Sequence, residues 1–194
     1  MNINVGVLGH VDSGKTSLTR ALATKFSTAS LDKHPESKTR GITLDLGFSA
    51  FRAPLPPHLQ QESDRFDDVQ YTLVDCPGHA SLIRTIIGGA QIMDMMILVI
   101  DVIRGIQTQT AECLVIGSIT CDNAIIVLNK IDLIAESERE ARVEKTKQNI
   151  RKAIAHTKFA NAPMVAISAS IGGAGKSVGE TASNTQPPKA SKGD

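Results

Sequence analysis

The chain has 194 residues, room for one ordinary domain with a substantial core, and nothing in its length forces two. Its 21 Lys and Arg nearly balance 20 Asp and Glu, and a net charge of +1 lacks the basic footprint of an autonomous nucleic-acid binder. The three cysteines, odd in number, set in apolar segments and free of any CxxC pair, read as buried thiols of a reducing compartment rather than as a disulfide or zinc framework.

An apolar run at residues 3–8 follows the first residues directly, without the basic start and apolar centre of a secretory leader. The most apolar run, 92–100, is broken by Asp94 and falls well short of the roughly 20 residues that cross a bilayer. The expectation is a soluble, cytoplasmic, monomeric protein with no membrane partner.

After the first strand comes GHVDSGKTSLT, which reads as a loop feeding a helix. Gly9, four intervening residues, then Gly14, Lys15 and Thr16 have P-loop spacing. Glycines let the backbone curl round a phosphate chain, and successive N–H groups and the helix N-terminus face the anion. Lys15 reaches the β- and γ-phosphates, and the Thr16 hydroxyl ligates Mg²⁺. Gly9, Asp12, Ser13, Gly14, Lys15, Thr16 and Ser17 are the candidate contacts.

Residues 27–42 read as a mobile loop leading to RGITLDLGF, where Thr43 is placed to close over Mg²⁺ and the γ-phosphate. A strand at 44–51 and another at 71–74, joined by the solvated loop PLPPHLQQESDRFDD, predict an antiparallel hairpin at the sheet edge. DCPGH follows the second. There Asp75 can hold Mg²⁺ through a water, and the Gly78 N–H can sense a γ-phosphate.

Val- and Ile-rich runs at 95–100, 124–128 and 164–167, separated by helical segments, complete an α/β pattern. The fold class expected is a P-loop NTPase: a mostly parallel, doubly wound sheet with one antiparallel edge strand and helices on both faces. LNKID follows the run at 124–128. A carboxylate at Asp132 matches the paired N1–H and exocyclic amine of guanine, which adenine lacks. Asn129 either bonds the base or ties this loop to the P-loop, and the Lys130 stem can pack on the ring. Val143, Lys147, Ile150 and Ile154 form an apolar stripe with one lysine stem, the mark of a cover helix between 136 and 159. Ser168 and Ala169, after the last run, can offer backbone N–H groups to guanine O6. Four loops in this order predict a site for GTP or GDP with Mg²⁺.

From residue 171 the chain is Gly, Ser, Thr, Lys and Pro with no helical period, and is expected to be a disordered, low-complexity tail. Its GGAGKS imitates the end of a second P-loop. The eight-residue frame starts at Ser170 instead of Gly, and no apolar helix follows, so it is not read as a nucleotide site.

GHVDSGKT, RGIT, DCPGH and NKID together resemble the translational GTPases, over about residues 2–169. GITLDLGF and DCPGHASLIRTIIGGAQ resemble the selenocysteine-specific elongation factors of eukaryotic type within them. The resemblance implies GTP hydrolysis, slow without a ribosome, in a factor that delivers selenocysteinyl-tRNA to recoded UGA codons. The ribosome, selenocysteinyl-tRNA and insertion-element RNA machinery would be its partners. His79 matches the family's catalytic histidine, which orients the attacking water; Lys15 would neutralise charge, and Asp12 would help organise it near the β–γ bridge. Alternatives are an initiation factor 2 gamma-like or general elongation factor GTPase, or a non-catalytic guanine-nucleotide-binding fragment. The chain departs from the family at its carboxyl end. Residues 1–170 are expected to form the GTP-binding domain without its final helix, and the tRNA-gripping β-barrels do not appear.

Overall fold

The computed structural model describes residues 1–23, 25–26, 47–57, 68–76 and 93–170, with 25–26 described by backbone alone, and among these described residues are seven strands and three α-helices. In chain order these are β1 (Asn2–Leu8), α1 (Lys15–Leu22), β2 (Lys25–Phe26), β3 (Gly47–Pro54), β4 (Asp68–Asp75), β5 (Met95–Asp101), α2 (Thr108–Thr120), β6 (Asn123–Asn129), α3 (Glu136–Ile154) and β7 (Met164–Ala166). A 3₁₀ turn, Ile131–Leu133, joins β6 to α3. The tail at 171–194, GGAGKS within it, and the loop at 27–42 lie outside the described residues.

The strands form one sheet in the order β2-β3-β4-β1-β5-β6-β7. From β4 to β7 every pairing is parallel. The expected antiparallel strand is β3, hairpinned to β4. It lies one place in from the edge, because the two-residue β2 pairs along its outer side. Parallel strands covered on both faces read as unbroken apolar runs, and β5 and β6, at the centre of the parallel part, are written MMILVID and NAIIVLN.

Each face has its own core. α1 sends Leu18 among Val5, Val7, Leu73, Val99 and Val127 on one side. On the other, Cys113 and Ile116 of α2 and Val143, Ile150 and Ile154 of α3 pack with Met96, Leu98, Ile100, Ile126 and Leu128. All three cysteines are free thiols buried in this second core. Burial pushes the Cys76 thiol up to about 12, so it stays protonated and unreactive at neutral pH.

The cover helix appears with one change in its stripe. Its buried positions are Val143, Thr146, Ile150 and Ile154. Lys147 stands on the flank, where its ammonium meets Glu144 at 3.7 Å. Thr146 takes the inner place because its hydroxyl can donate back to the Arg142 carbonyl at 2.9 Å, which a lysine cannot do while buried. Among the described residues no helix is long and apolar enough to cross a membrane.

Candidate nucleotide-binding site

Parallel register brings the expected loops to one end of the sheet, beyond the carboxyl ends of β1, β4, β5, β6 and β7. Val7 lies beside Asp75 and Asp101 beside Asn129, so residues far apart in sequence leave the sheet side by side.

The loop from Gly9 to Gly14 is the strained part. Asp12 sits at φ 61°, Gly9 at 151° and Gly14 at 91°, so the chain reverses through conformations that side chains resist. A Cβ at Gly9 would strike the Val99 carbonyl oxygen and the Ser13 hydroxyl, and one at Gly14 would strike the Asn129 amide. Both glycines are therefore required by neighbours as well as by backbone angle. Ser13 is fully buried, and its hydroxyl has no hydrogen-bond partner among the described residues. A cradle closed to Cβ atoms and a buried polar group left over fit a bound phosphate chain.

Lys15 opens α1 and curls back so that its ammonium donates to the His10 carbonyl at 2.9 Å. Burial lowers its pKa, with the nearby Asp75 carboxylate acting in the opposite sense. An anion in the loop would offset that burial and hold the lysine charged. One residue on, the Thr16 hydroxyl donates to Asp75 Oδ2 at 2.6 Å, and Asp75 is fully buried at the end of β4. Hydroxyl and carboxylate at this spacing are the donor types that suit Mg²⁺, which takes oxygen ligands and keeps several waters. Ser17, the third residue of α1, is half-buried, and Asp12 is exposed at the rim. Thr43, Gly78 and His79 lie outside the described residues.

Asn129 makes the tie to the P-loop that was one of the two alternatives open for it. Its amide donates to the Ser13 carbonyl at 2.9 Å, and its Oδ1 accepts from the Lys130 N–H at 2.8 Å and the Ala169 N–H at 3.0 Å. One buried side chain thus binds the P-loop, the NKID loop and the loop after β7 together. The Ala169 N–H, expected to stand ready for guanine O6, donates to this acceptor within the frame. It is buried, and a buried donor takes the nearest carbonyl oxygen. Beyond it the Ser168 hydroxyl donates to the Asp132 carboxylate at 2.6 Å. That carboxylate is otherwise exposed, at the middle of the 3₁₀ turn.

Three residues that motif reasoning passed over hold this arrangement. Asp101 Oδ2 pairs with the Lys130 ammonium at 2.9 Å, while its Oδ1 accepts from the N–H groups of Ile103 and Arg104 at 2.8 and 3.3 Å. Burial works against its charge, but the Lys130 and backbone donors outweigh it and pull the carboxyl below its usual range. Gln109 of α2 accepts from the Val11 N–H at 3.0 Å and pins the P-loop. Arg139 of α3 donates to the carbonyls of Ile131 and Ile134 at 3.1 and 3.3 Å, bracketing the turn that carries Asp132. No local motif marks any of them. Asp101 alone gives a hint, as a carboxylate closing an apolar strand.

The elongation factor Tu GTP binding domain family matches residues 1–187. Over 173 residues the chain is 60% identical to the selenocysteine-specific elongation factor of Mus musculus, covering 89% of this chain and 29% of that protein. Likeness to the translation initiation factor 2 gamma subunit of Thermococcus onnurineus is lower, 36% over 180 residues, covering 86% and 42%. A solved structure of the translation elongation factor SelB from Methanococcus maripaludis, in complex with a GTP analogue, superposes with a TM-score of 0.61 at 29% identity, covering 87% of this chain and 30% of that one. The chain spans less than half the length of these relatives. With a P-loop, an NKID loop and the loop after β7 gathered on one buried asparagine, the chain belongs to the elongation factor Tu GTP-binding-domain family.

Proposed function

We propose that this chain binds GTP and GDP with Mg²⁺ and is the GTP-hydrolysing part of a factor that brings selenocysteinyl-tRNA to the ribosome at recoded UGA codons. The observation that carries the nucleotide reading is the continuous frame from Ser13 through Asn129 and Ala169 to Ser168 and Asp132. It fixes the distance between a phosphate cradle and a carboxylate suited to guanine. The high identity to the mouse factor supports the selenocysteine-specific reading over the initiation factor 2 gamma alternative. The ribosome and the insertion-element RNA machinery are the partners this implies.

In this reading the backbone N–H groups from Gly9 to Lys15 bind the phosphates, and Lys15 neutralises charge on the β- and γ-groups. Thr16 and Asp75, with Thr43, would hold Mg²⁺, which would supply positive charge to the transferring phosphate. Gly78 senses the γ-phosphate, His79 orients the water that attacks phosphorus as the bond to the β–γ bridging oxygen breaks, and Asp12 organises charge at that bridge. With His79 dependent on ribosomal RNA for its position, the isolated chain turns over slowly. Ala169 serves guanine O6 by sharing its N–H with Asn129.

The test is nucleotide selectivity read with fluorescent GDP, ADP and xanthosine diphosphate. GDP binds and ADP does not, while Asp132→Asn exchanges guanine for xanthine, because the amide reverses one donor–acceptor match. Equal affinity for ADP and GDP in the unaltered chain would overturn the reading.

A further inference from the structure

The nucleotide loops leave unexplained a cleft of about 420 Å³ between the segment after β5 and the flank of α3 that faces it. Its floor is apolar and buried: Val102 and Ile150, with Thr146 donating to the Val102 carbonyl at 3.4 Å. Ile103 and Ile106 stand beside it, 43% and 37% exposed. Together the two isoleucines give the concave site an exposed apolar edge beside its buried apolar floor.

The rim is cationic. Arg104, Arg142 and Lys145 line the cleft, and among the described residues the lining contains no carboxylate. Arg142 donates to the Ile103 carbonyl at 3.2 Å, which fixes its guanidinium at the edge without neutralising it. None of the three forms an ion pair with a described carboxylate. α3 itself carries Glu136, Glu138, Glu140 and Glu144, so the absence of acid from the described lining reflects which side of the helix faces the cleft.

We propose that this cleft is a docking site for an acidic, amphipathic peptide segment of a protein partner, whose carboxylates meet Arg104, Arg142 and Lys145 and whose large apolar side chain covers Ile103 and Ile106. A nucleic acid fits the same rim less well. Its phosphates gain nothing from two isoleucines, and no aromatic ring lines the cleft for a base to stack on. A helix laying an apolar edge into a groove, flanked by charges of opposite sign, uses both features at once. The proposal is independent of guanine recognition, since none of the cleft residues belongs to the nucleotide loops.

The probe is a labelled peptide of about 14 residues, Asp and Glu with Leu and Phe on one helical edge, titrated against the 194-residue chain by fluorescence anisotropy. Alongside it run the same peptide with Leu and Phe replaced by Ser, and a single-stranded RNA of matched charge. We expect the first to bind, to weaken as salt rises, and to exceed both others. The double variant R142E/K145E lowers its affinity about tenfold or more and lets a Lys-for-Asp/Glu version of the peptide bind instead. Ile106→Ser lowers affinity without changing the salt dependence. All these positions are at the surface, and an unchanged melting curve verifies that the variants fold. Absence of binding by the amphipathic peptide, equal binding by R142E/K145E, or RNA binding that the same double variant abolishes would each overturn the proposal.

Discussion

Asn129 makes three hydrogen bonds from one buried amide, to three different loops. Asn129→Ala would remove all of them and leave the Ser13 carbonyl and the Ala169 N–H without partners in a place water does not reach. A buried group left unsatisfied costs about 1–3 kcal/mol, so a total loss of about 2–4 kcal/mol is expected in urea unfolding without nucleotide. A change below about 0.5 kcal/mol, the size of an ordinary surface substitution, would mean the three loops are held by something else. Asp132→Asn should behave in the opposite way. Its carboxylate is exposed and takes one hydroxyl, so the substitution alters base choice with little effect on unfolding.

At the level of the element, the P-loop and the turn after β5 each place a glycine at positive φ, but their surroundings differ. Gly14 at 91° faces the Asn129 amide, whereas Gly105 at 65° has nothing within 4 Å of where a Cβ would go. Gly105→Ala therefore meets only backbone strain, about 1–2 kcal/mol. Gly14→Ala adds a collision that displaces Asn129, and the gap between the two variants in urea unfolding is expected to be about 2 kcal/mol or more. Equal losses would show that backbone angle alone keeps Gly14. Elements such as β5, β6 and α3 were legible in sequence to within a few residues, because their apolar periods are long and each packs where its period says. The P-loop and NKID were legible as loops at one end of the sheet because their spacing is local and each follows an apolar strand. Asp101, Gln109 and Arg139 were not. Their partners are fixed by strand register and helix docking, and Asp101 comes to Lys130 only because β5 and β6 align it with Asn129. Thr146 replaced Lys147 on the inner stripe for a related reason: helical period alone could not tell which neighbour had a polar group that the backbone would accept.

Across the whole molecule, among the described residues, the two faces of the sheet are unequally covered. Behind α2 and α3 most apolar side chains are fully buried, with partly buried ones such as Phe48, Leu114 and Met164 at the margin, whereas on the α1 side as many, among them Ile3, Met95, Ile97, Ile125 and Ile167, are only partly so. Met95 and Met96 are adjacent and point to opposite faces, with Met96 1% exposed. Mild peroxide followed by peptide mass spectrometry should oxidise Met95 well before Met96, and equal rates would show the asymmetry to be absent in solution. The same sheet also connects its distant loops through Asp101. Its depressed pKa means that the carboxylate's contribution to stability is present above the ordinary carboxylate pKa and is lost only as pH falls through the lower folded value. At neutral pH it therefore grips Lys130 of the NKID loop and the amides of Ile103 and Arg104 at the cleft together. Thermodynamic reciprocity then applies to that carboxylate: any ligand that draws the 103–104 turn away from it weakens the hold on Lys130, and whatever factor this takes from the binding of a nucleotide, the nucleotide must take from the binding of that ligand.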